Sequence, residues 1–394
     1  MIMKKWKASG RKRKTTRLFF LLIGSSSLIC VILLSLYIYS LSSSGRMGSP
    51  VFEETYSTKS VLHEGIRKID FAIFESLYQS GAQENDIRFI DVQPRHIKGH
   101  IWDFTELSVK CVDLRSLPRL QEIITHELNT LGPGIRFQHE KRIDQNIIFH
   151  IFVKEFYTHK LVLGFNSHKP SVEDVRPRIA IIIDDLGYDS ELAVSFIQLG
   201  LPLTFSLLPS APFTERIARE ASETGYELML HLPMEPKNYP SVNPGPGALL
   251  LSMDEDEIRQ VLDKNLREIS EVSGVNNHMG SAFTEDRDRI RVVLKELKKR
   301  NLFYIDSRTT NNSAGFKLAS EMGVPVAGRS VFLDNDIAHE AIKIQMERLL
   351  NLARHSGTAI GIAHPYKETL KILEEYSSRI KTDFRVVPVS ELVS

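Results

Sequence analysis

The stretch RPRIAIIIDDLGYD, Arg176 to Asp189, carries five apolar residues, Ile179 to Ile183, straight into two adjacent carboxylates, Asp184 and Asp185. So short and apolar a run, rich in isoleucine, reads as a buried strand. In a regular strand neighbouring side chains point to opposite faces, so both carboxylates can reach one site only where the strand is breaking up. Gly187, just beyond them, permits such a turn. Two carboxylates in a partly buried site raise each other's pKa. A divalent cation relieves that repulsion, holding one ionised and leaving the other able to act as a base.

Downstream of this stretch the pattern alternates between strands and helices for about two hundred residues. LTFSLLP, YELMLHLP, GVNNHMG, LFYIDS, VPVAG, TAIGIAHP and FRVVPVS read as strands, and helical segments separate them, among them 190–199, 288–300, 315–322, 337–355 and 367–380. One further helix, in MDEDEIRQVLDKNLREIS, has an acidic first turn that suits the helix dipole. Repeated β–α units of this kind predict a parallel barrel or a doubly wound sheet, in which chemistry collects at the carboxyl ends of the strands.

The predicted strand ends carry Asp184 and Asp185, then His231, His278, Asp306 and His364. Each has a bland reading beside the functional one: Asp306 as a helix cap, His278 as a packed core histidine, His364 as a turn residue before Pro365. The series on one edge favours function. An Asp with two His is a ligand set suited to zinc or a similar transition metal with positions left for water and substrate. A neighbouring carboxylate then takes the water's proton and a histidine protonates the leaving group, which is hydrolysis of an amide or ester.

Upstream, residues 58–166 read as a small α+β domain: an amphipathic helix from Lys59 to Gln79, strands near 87–92 and 107–112, a helix over 117–130, and three strand-like runs, GIRFQHE, NIIFHIFVKEF and HKLVLGF. His150 reads as an ordinary strand residue. A polar linker, 167–177, separates this domain from the region 178–394.

The amino-terminal end is different again. Basic residues crowd segment 1–17, and the uncharged run Leu18 to Leu41 is about long enough to cross a bilayer core of roughly 30 Å as a helix. The positive-inside rule then keeps segment 1–17 cytoplasmic and places the rest, after a linker 42–57, outside the cytoplasm. A cleaved signal peptide is the rival reading, because SLSSSG follows the span. Cys30 lies in the span and Cys111 stands alone, so the outer portion has no internal disulfide. The formal net charge of +1 points to no class of partner, and a nucleic-acid role for the basic block is disfavoured by the hydrophobic run beside it.

Seven stretches of the second half, IAIIIDDLG, PLTFSLLPSAP, LMLHLPMEP with PGPGAL after it, GVNNHMGSAFTED, FYIDSRTT, VFLDND and AIGIAHP, resemble in order the divergent polysaccharide deacetylase family, relatives of the NodB-type carbohydrate esterases. The resemblance implies a distorted (β/α) barrel of fewer than eight units with a metal-dependent N-deacetylase site. It implies Asp184 as the base and Asp185 as a metal ligand, His231 as a second ligand, His364 as the general acid and Asp306 as its orienting partner. The family's second motif has two histidines four apart, whereas HLPME keeps His231 and has Glu235 in the other position. The third ligand is therefore His278 or Glu235. His278 is preferred, because imidazole is the commoner donor and prolines flank Glu235.

The expected activity is removal of N-acetyl groups from an envelope polysaccharide such as peptidoglycan, with a divalent metal, zinc by preference, as cofactor. The alternatives are an inactive deacetylase-like protein that binds glycan or a protein partner, the latter through residues 58–166, and a metal-dependent amidase. Tyr188, Phe283 and Tyr366 are candidate sugar contacts, and Asn238 to Leu250 reads as a loop over the site mouth.

Overall fold

A computed structural model of the chain describes residues 61–82, 86–97, 100–110, 116–142, 146–164, 176–269 and 271–394. The basic segment, the hydrophobic span, the linker 42–57, most of the linker 167–177 and both cysteines lie outside these residues. Among the described residues no helix is long and apolar enough to cross a membrane.

The first sheet has the order β1 (Ile87–Ile97), β2 (His100–Lys110), β5 (Phe156–Gly164), β4 (Ile147–Val153), β3 (Ile135–Lys141). Only the β2–β5 pair is parallel. Helices α1 (Val61–Gln79) and α2 (Ser116–Thr130) supply Ile69, Ile73, Leu77, Ile124 and Leu128 to a core closed by Trp102, Leu107, Phe149 and Leu161 of the sheet. β1 and β2 run longer than the alternation predicts. They zip as one hairpin from Ile87 opposite Val109 down to Ile97 opposite His100, so ladder pairing carries strand structure through a polar stretch that lacks the pattern.

The second sheet is parallel throughout. Its strands are β6 (Arg178–Leu186), β7 (Thr204–Leu207), β8 (Glu227–Met234), β9 (Gly274–Met279), β10 (Phe303–Asp306), β11 (Val326–Gly328), β12 (Val331–Phe332) and β13 (Thr358–Ala363), in the order β11-β10-β9-β8-β7-β6-β13-β12, with β14 (Arg385–Val386) paired to the base of β6. Helices α3 (Ser190–Gln198), α4 (Thr214–Glu223), α5 (Glu255–Glu268), α6 (Arg287–Lys299), α7 (Gly315–Met322), α8 (His339–Ser356) and α9 (Lys367–Asp383) connect them. The two edge strands, β11 and β12, are joined by only Arg329 and Ser330, so the sheet must curl until its edges approach. The predicted last strand shrinks to two residues, because Pro388 has no N–H for the ladder and a 3₁₀ turn, Val389–Leu392, follows.

Strand alternation sorts the apolar side chains into two cores. Ile179, Ile181 and Ile183 join the core under the helices, while Ala180 and Ile182 join a second one with Met229, Ile305, Ile360 and Ile362 inside the curl. This two-sided burial is why β6 reads as a continuous apolar run.

Candidate functional site

The same period of two selects the polar residues at the carboxyl edge. Asp184 continues the inner series of Ala180 and Ile182, His231 that of Met229, and His364 that of Ile360 and Ile362. On β9 the inner positions are Asn276 and His278, Asn276 lying in the ladder beside His231. Asp185 belongs by parity to the outer face.

It is turned inward by a bulge. Between β6 and β7 the register passes from Ile183 opposite Phe205 to Leu186 opposite Leu207, three steps against two, so β6 holds an extra residue at the two aspartates. Asp185 takes up the distortion with a left-handed φ of 56°, a conformation aspartate tolerates better than most side chains. Gly187, at φ 143°, packs so closely that a Cβ there would lie 2.6 Å from the Cβ of Ala211.

Oδ1 of Asp185 lies 2.9 Å from Nε2 of His231 and 2.9 Å from Nδ1 of His278, and the two ring nitrogens are 3.2 Å apart. All three residues are buried. Neither oxygen of Asp185 lies on a hydrogen-bonding direction of a neighbouring donor. Three ligand atoms gathered in one place, with both oxygens of Asp185 buried and lacking a hydrogen-bond partner, are what a cation site presents. Their separations fall a little short of the roughly 3.3 Å expected for ligands 2.0–2.1 Å from a tetrahedral ion.

Asn276 fixes the proton arrangement behind this cluster. Its Nδ2 lies 2.8 and 3.0 Å from the two oxygens of Asp184, which as a carboxylate can only accept. Oδ1 of Asn276 therefore accepts, from Ser206 Oγ at 2.6 Å and from His231 Nδ1 at 2.8 Å. With Nδ1 donating, neutral His231 turns the lone pair of Nε2 toward Asp185 and His278. Asp184 stands on the other side of the ring, its Oδ2 3.7 Å from His231 Nδ1.

Charge separates the two aspartates. Burial raises the pKa of Asp184 above the usual carboxylate value, and Asp185 adds to it, against the opposing pull of His231 and His364. Burial would also raise Asp185, but the charge of His278 and the contacts of both rings outweigh it and hold this carboxyl well below the ordinary range. For His231, burial opposes the charged form, yet Asp184 and Asp185 together push its pKa up to about 9.

His364 donates through Nδ1 to Oδ1 of Asp334 at 2.7 Å, and Oδ2 of Asp334 accepts from the His364 backbone N–H at 2.7 Å and from Thr369 Oγ1 at 2.6 Å. Asp334 is thus the orienting carboxylate, and the expectation for Asp306 is corrected. Asp306 is buried but engaged elsewhere: Oδ2 accepts from Ser313 Oγ and the Phe316 N–H, and Oδ1 from the Arg308 N–H, which organises the loop before α7. Strand-end position suggested Asp306. Asp334 follows a strand of two residues, too short to give a periodic signal.

Glu235 is also elsewhere, its Oε2 accepting from the backbone N–H of Leu251 at 2.7 Å. Phe283 is fully buried in the apolar core under the helices and does not reach the site. Tyr188 and Tyr366 do sit near it. Burial raises both phenols, and the charge of Asp185 acts on each. Leu249, at the end of the 238–250 loop, bridges to Met234 and ties that loop to the carboxyl end of β8. His150, in the first domain, bonds Tyr157 Oη at 2.6 Å and belongs to no site.

The family model described as divergent polysaccharide deacetylase matches residues 181–393. The uncharacterized protein YibQ of Escherichia coli is 30% identical over 217 residues, 55% of this chain and 67% of the relative. An uncharacterized protein of Haemophilus influenzae is 28% identical over 247 residues, 63% of this chain and 86% of the relative. Among solved structures, the uncharacterized protein ATU2773 of Agrobacterium tumefaciens superposes with a TM-score of 0.53 at 27% identity, covering 57% of this chain and 92% of the other.

Proposed function

The chain belongs to the divergent polysaccharide deacetylase family, and from that premise we propose that it is a metal-dependent hydrolase removing N-acetyl groups from an envelope polysaccharide. The observation that carries the reading is the convergence of Asp185, His231 and His278, with both oxygens of Asp185 buried and lacking a hydrogen-bond partner. These three residues would hold a divalent cation, zinc by preference for a one-carboxylate, two-imidazole set. A cation held there would supply Lewis acidity, lowering the pKa of a water toward neutrality and polarising the amide carbonyl.

The remaining steps belong to the chain's own groups. Asp184, with its raised pKa and its position beside the cluster, takes the proton of the attacking water. His364 gives a proton to the departing amine. With Nδ1 committed to Asp334, the proton is carried at Nε2, and the Asp334 charge stabilises the imidazolium between turnovers. Asn276 keeps His231 in the tautomer that binds and, by donating to Asp184, keeps that carboxylate in place. The phenols of Tyr188 and Tyr366 stand near enough to orient a sugar or its acetyl group.

The anchor reading of residues 18–41 places this site outside the cytoplasm, tethered to the membrane, where an envelope glycan is accessible. Acetate release from N-acetylated peptidoglycan fragments by the zinc-loaded full chain tests the reading. Release that is abolished by chelation and by His364→Ala supports it; a zinc-loaded, folded protein that binds these fragments and releases no acetate favours a glycan-binding protein instead.

A further inference from the structure

A cavity of about 440 Å³ opens where α1 and β2 of the first domain meet α8 and the segment 329–337 of the curled sheet. That volume lies in the range of roughly 300–1,000 Å³ typical of small-molecule sites. Its walls are largely apolar or aromatic, with Phe71, Trp102, Phe332 and Ile344 among them.

Two buried guanidinium groups line it. Arg348 is 5% exposed and Arg329 9% exposed. Arg348 donates to Thr105 Oγ1 and to Gln345 Oε1, both neutral, and its Nε is buried with no hydrogen-bond partner. Arg329 donates to the carbonyls of Ser307 and Arg308 and lies over the ring of Phe332, 3.7 Å from its centroid. Among the described residues neither has a carboxylate partner. Buried arginines without counter-ions are costly, and the cost is relieved when an anion enters.

The carboxylates of the lining do not supply that anion. Asp70 is bound to His159 at 3.1 Å and Asp336 to Arg67 at 3.0 Å, while Glu64 and Asp103 are exposed at the rim. The buried part of the lining therefore carries two guanidiniums against one carboxylate, Asp70, which His159 already holds, while the rim mixes Glu64 and Asp103 with Arg67. We propose that the cavity is a binding site for a small organic anion, a carboxylate carried on an apolar or aromatic body. The planar forks of Arg329 and Arg348 match a carboxylate, and the ring-lined walls take the body. Phe332 also stacks on His364, at 6.0 Å between centroids, so the occupant lies one ring from the hydrolase site. The binding proposal itself does not depend on any activity of that site.

The chain has two tryptophans, Trp6 and Trp102, so in the full chain carrying Trp6→Phe the emission of Trp102 reports on the cavity alone. The probes are 2-naphthoate, its neutral counterpart 2-naphthamide, and inorganic phosphate. We expect saturable binding of naphthoate, naphthamide weaker by about tenfold or more, and a similar loss for naphthoate in Arg348→Met and in Arg329→Met. Thermal melts show which variant stays folded, and the comparison of naphthoate with naphthamide needs no cavity variant. Equal binding of the two naphthyl probes, binding of phosphate without naphthoate, no naphthoate binding up to about 10 mM, or undiminished binding in both arginine variants would overturn the proposal.

Discussion

Asp184 and Asp185 are neighbours in sequence with opposite electrostatics: burial dominates at Asp184, whereas the charge of His278 and the contacts of both rings outweigh it at Asp185. Asp185 meets Nε2 and His278 and is held ionised; Asp184 meets Nδ1 through Asn276 and is raised. Asn276→Leu removes the acceptor that fixes His231, so zinc affinity should fall about 10- to 100-fold, read by competition with a chromophoric chelator. Protons compete for the same Nε2. In the metal-free protein the His231 ion pair stabilises the fold fully below the ordinary imidazole value of about 6.5 and is lost as pH rises through about 9. Zinc must displace that proton at neutral pH, so apparent affinity should rise about tenfold per pH unit between pH 6 and 8; a flat profile would contradict the assignment. The paired carboxylates, His231, His278 and His364 are legible from strand-end position alone. Asn276 is not, because a buried amide on a strand has no periodic or charge signature, and Asp334 is not, because its strand is two residues long. The two acids separate by experiment: Asp334→Asn should lower kcat with little change in KM, whereas Asp306→Asn should cost about 1–3 kcal/mol of stability through its loop contacts and leave kcat per folded molecule intact.

At the scale of elements, the site depends on one extra residue in β6. The bulge admits Asp185 to a face that alternation assigns to Asp184, and Gly187 lets the chain leave the strand afterwards. Gly187→Ala sets a Cβ against Ala211 and Thr214 at a left-handed φ, so it should destabilise by more than about 1 kcal/mol in denaturant unfolding and weaken zinc binding as well. The sequence shows that the strand has to break up at the aspartates and that Gly187 lets it, but not that the break takes the form of a bulge in the β6–β7 register. Strand and helix order in the second half is legible, apart from the two-residue β12, because each β–α unit switches cleanly between periods. The β1–β2 hairpin is legible only in part, since pairing between strands, which no local pattern records, carries it through polar residues.

At the scale of the whole molecule, the path from β11 to β12 through Arg329 and Ser330 makes the curl of the sheet a consequence of chain connectivity. Curling brings the ends of β6, β8, β9 and β13 to one mouth, and with them the residues that a linear reading can only place in series. The family match accounts for the parallel sheet and begins inside β6, so the first domain and its cavity are read from their own residues. A cation bound by three elements ties β6, β8 and β9 together, and zinc at a hundredfold excess over its Kd should stabilise the fold by about 2.7 kcal/mol. Whether Asp185, His231 and His278 hold a cation is decided by the metal content of the purified full chain beside Asp185→Ala, His278→Ala and Glu235→Ala. About one ion per chain is expected in the wild type and in Glu235→Ala, with loss in the other two. No metal in the wild type, or metal retained without Asp185 and His278, would contradict that ligand set.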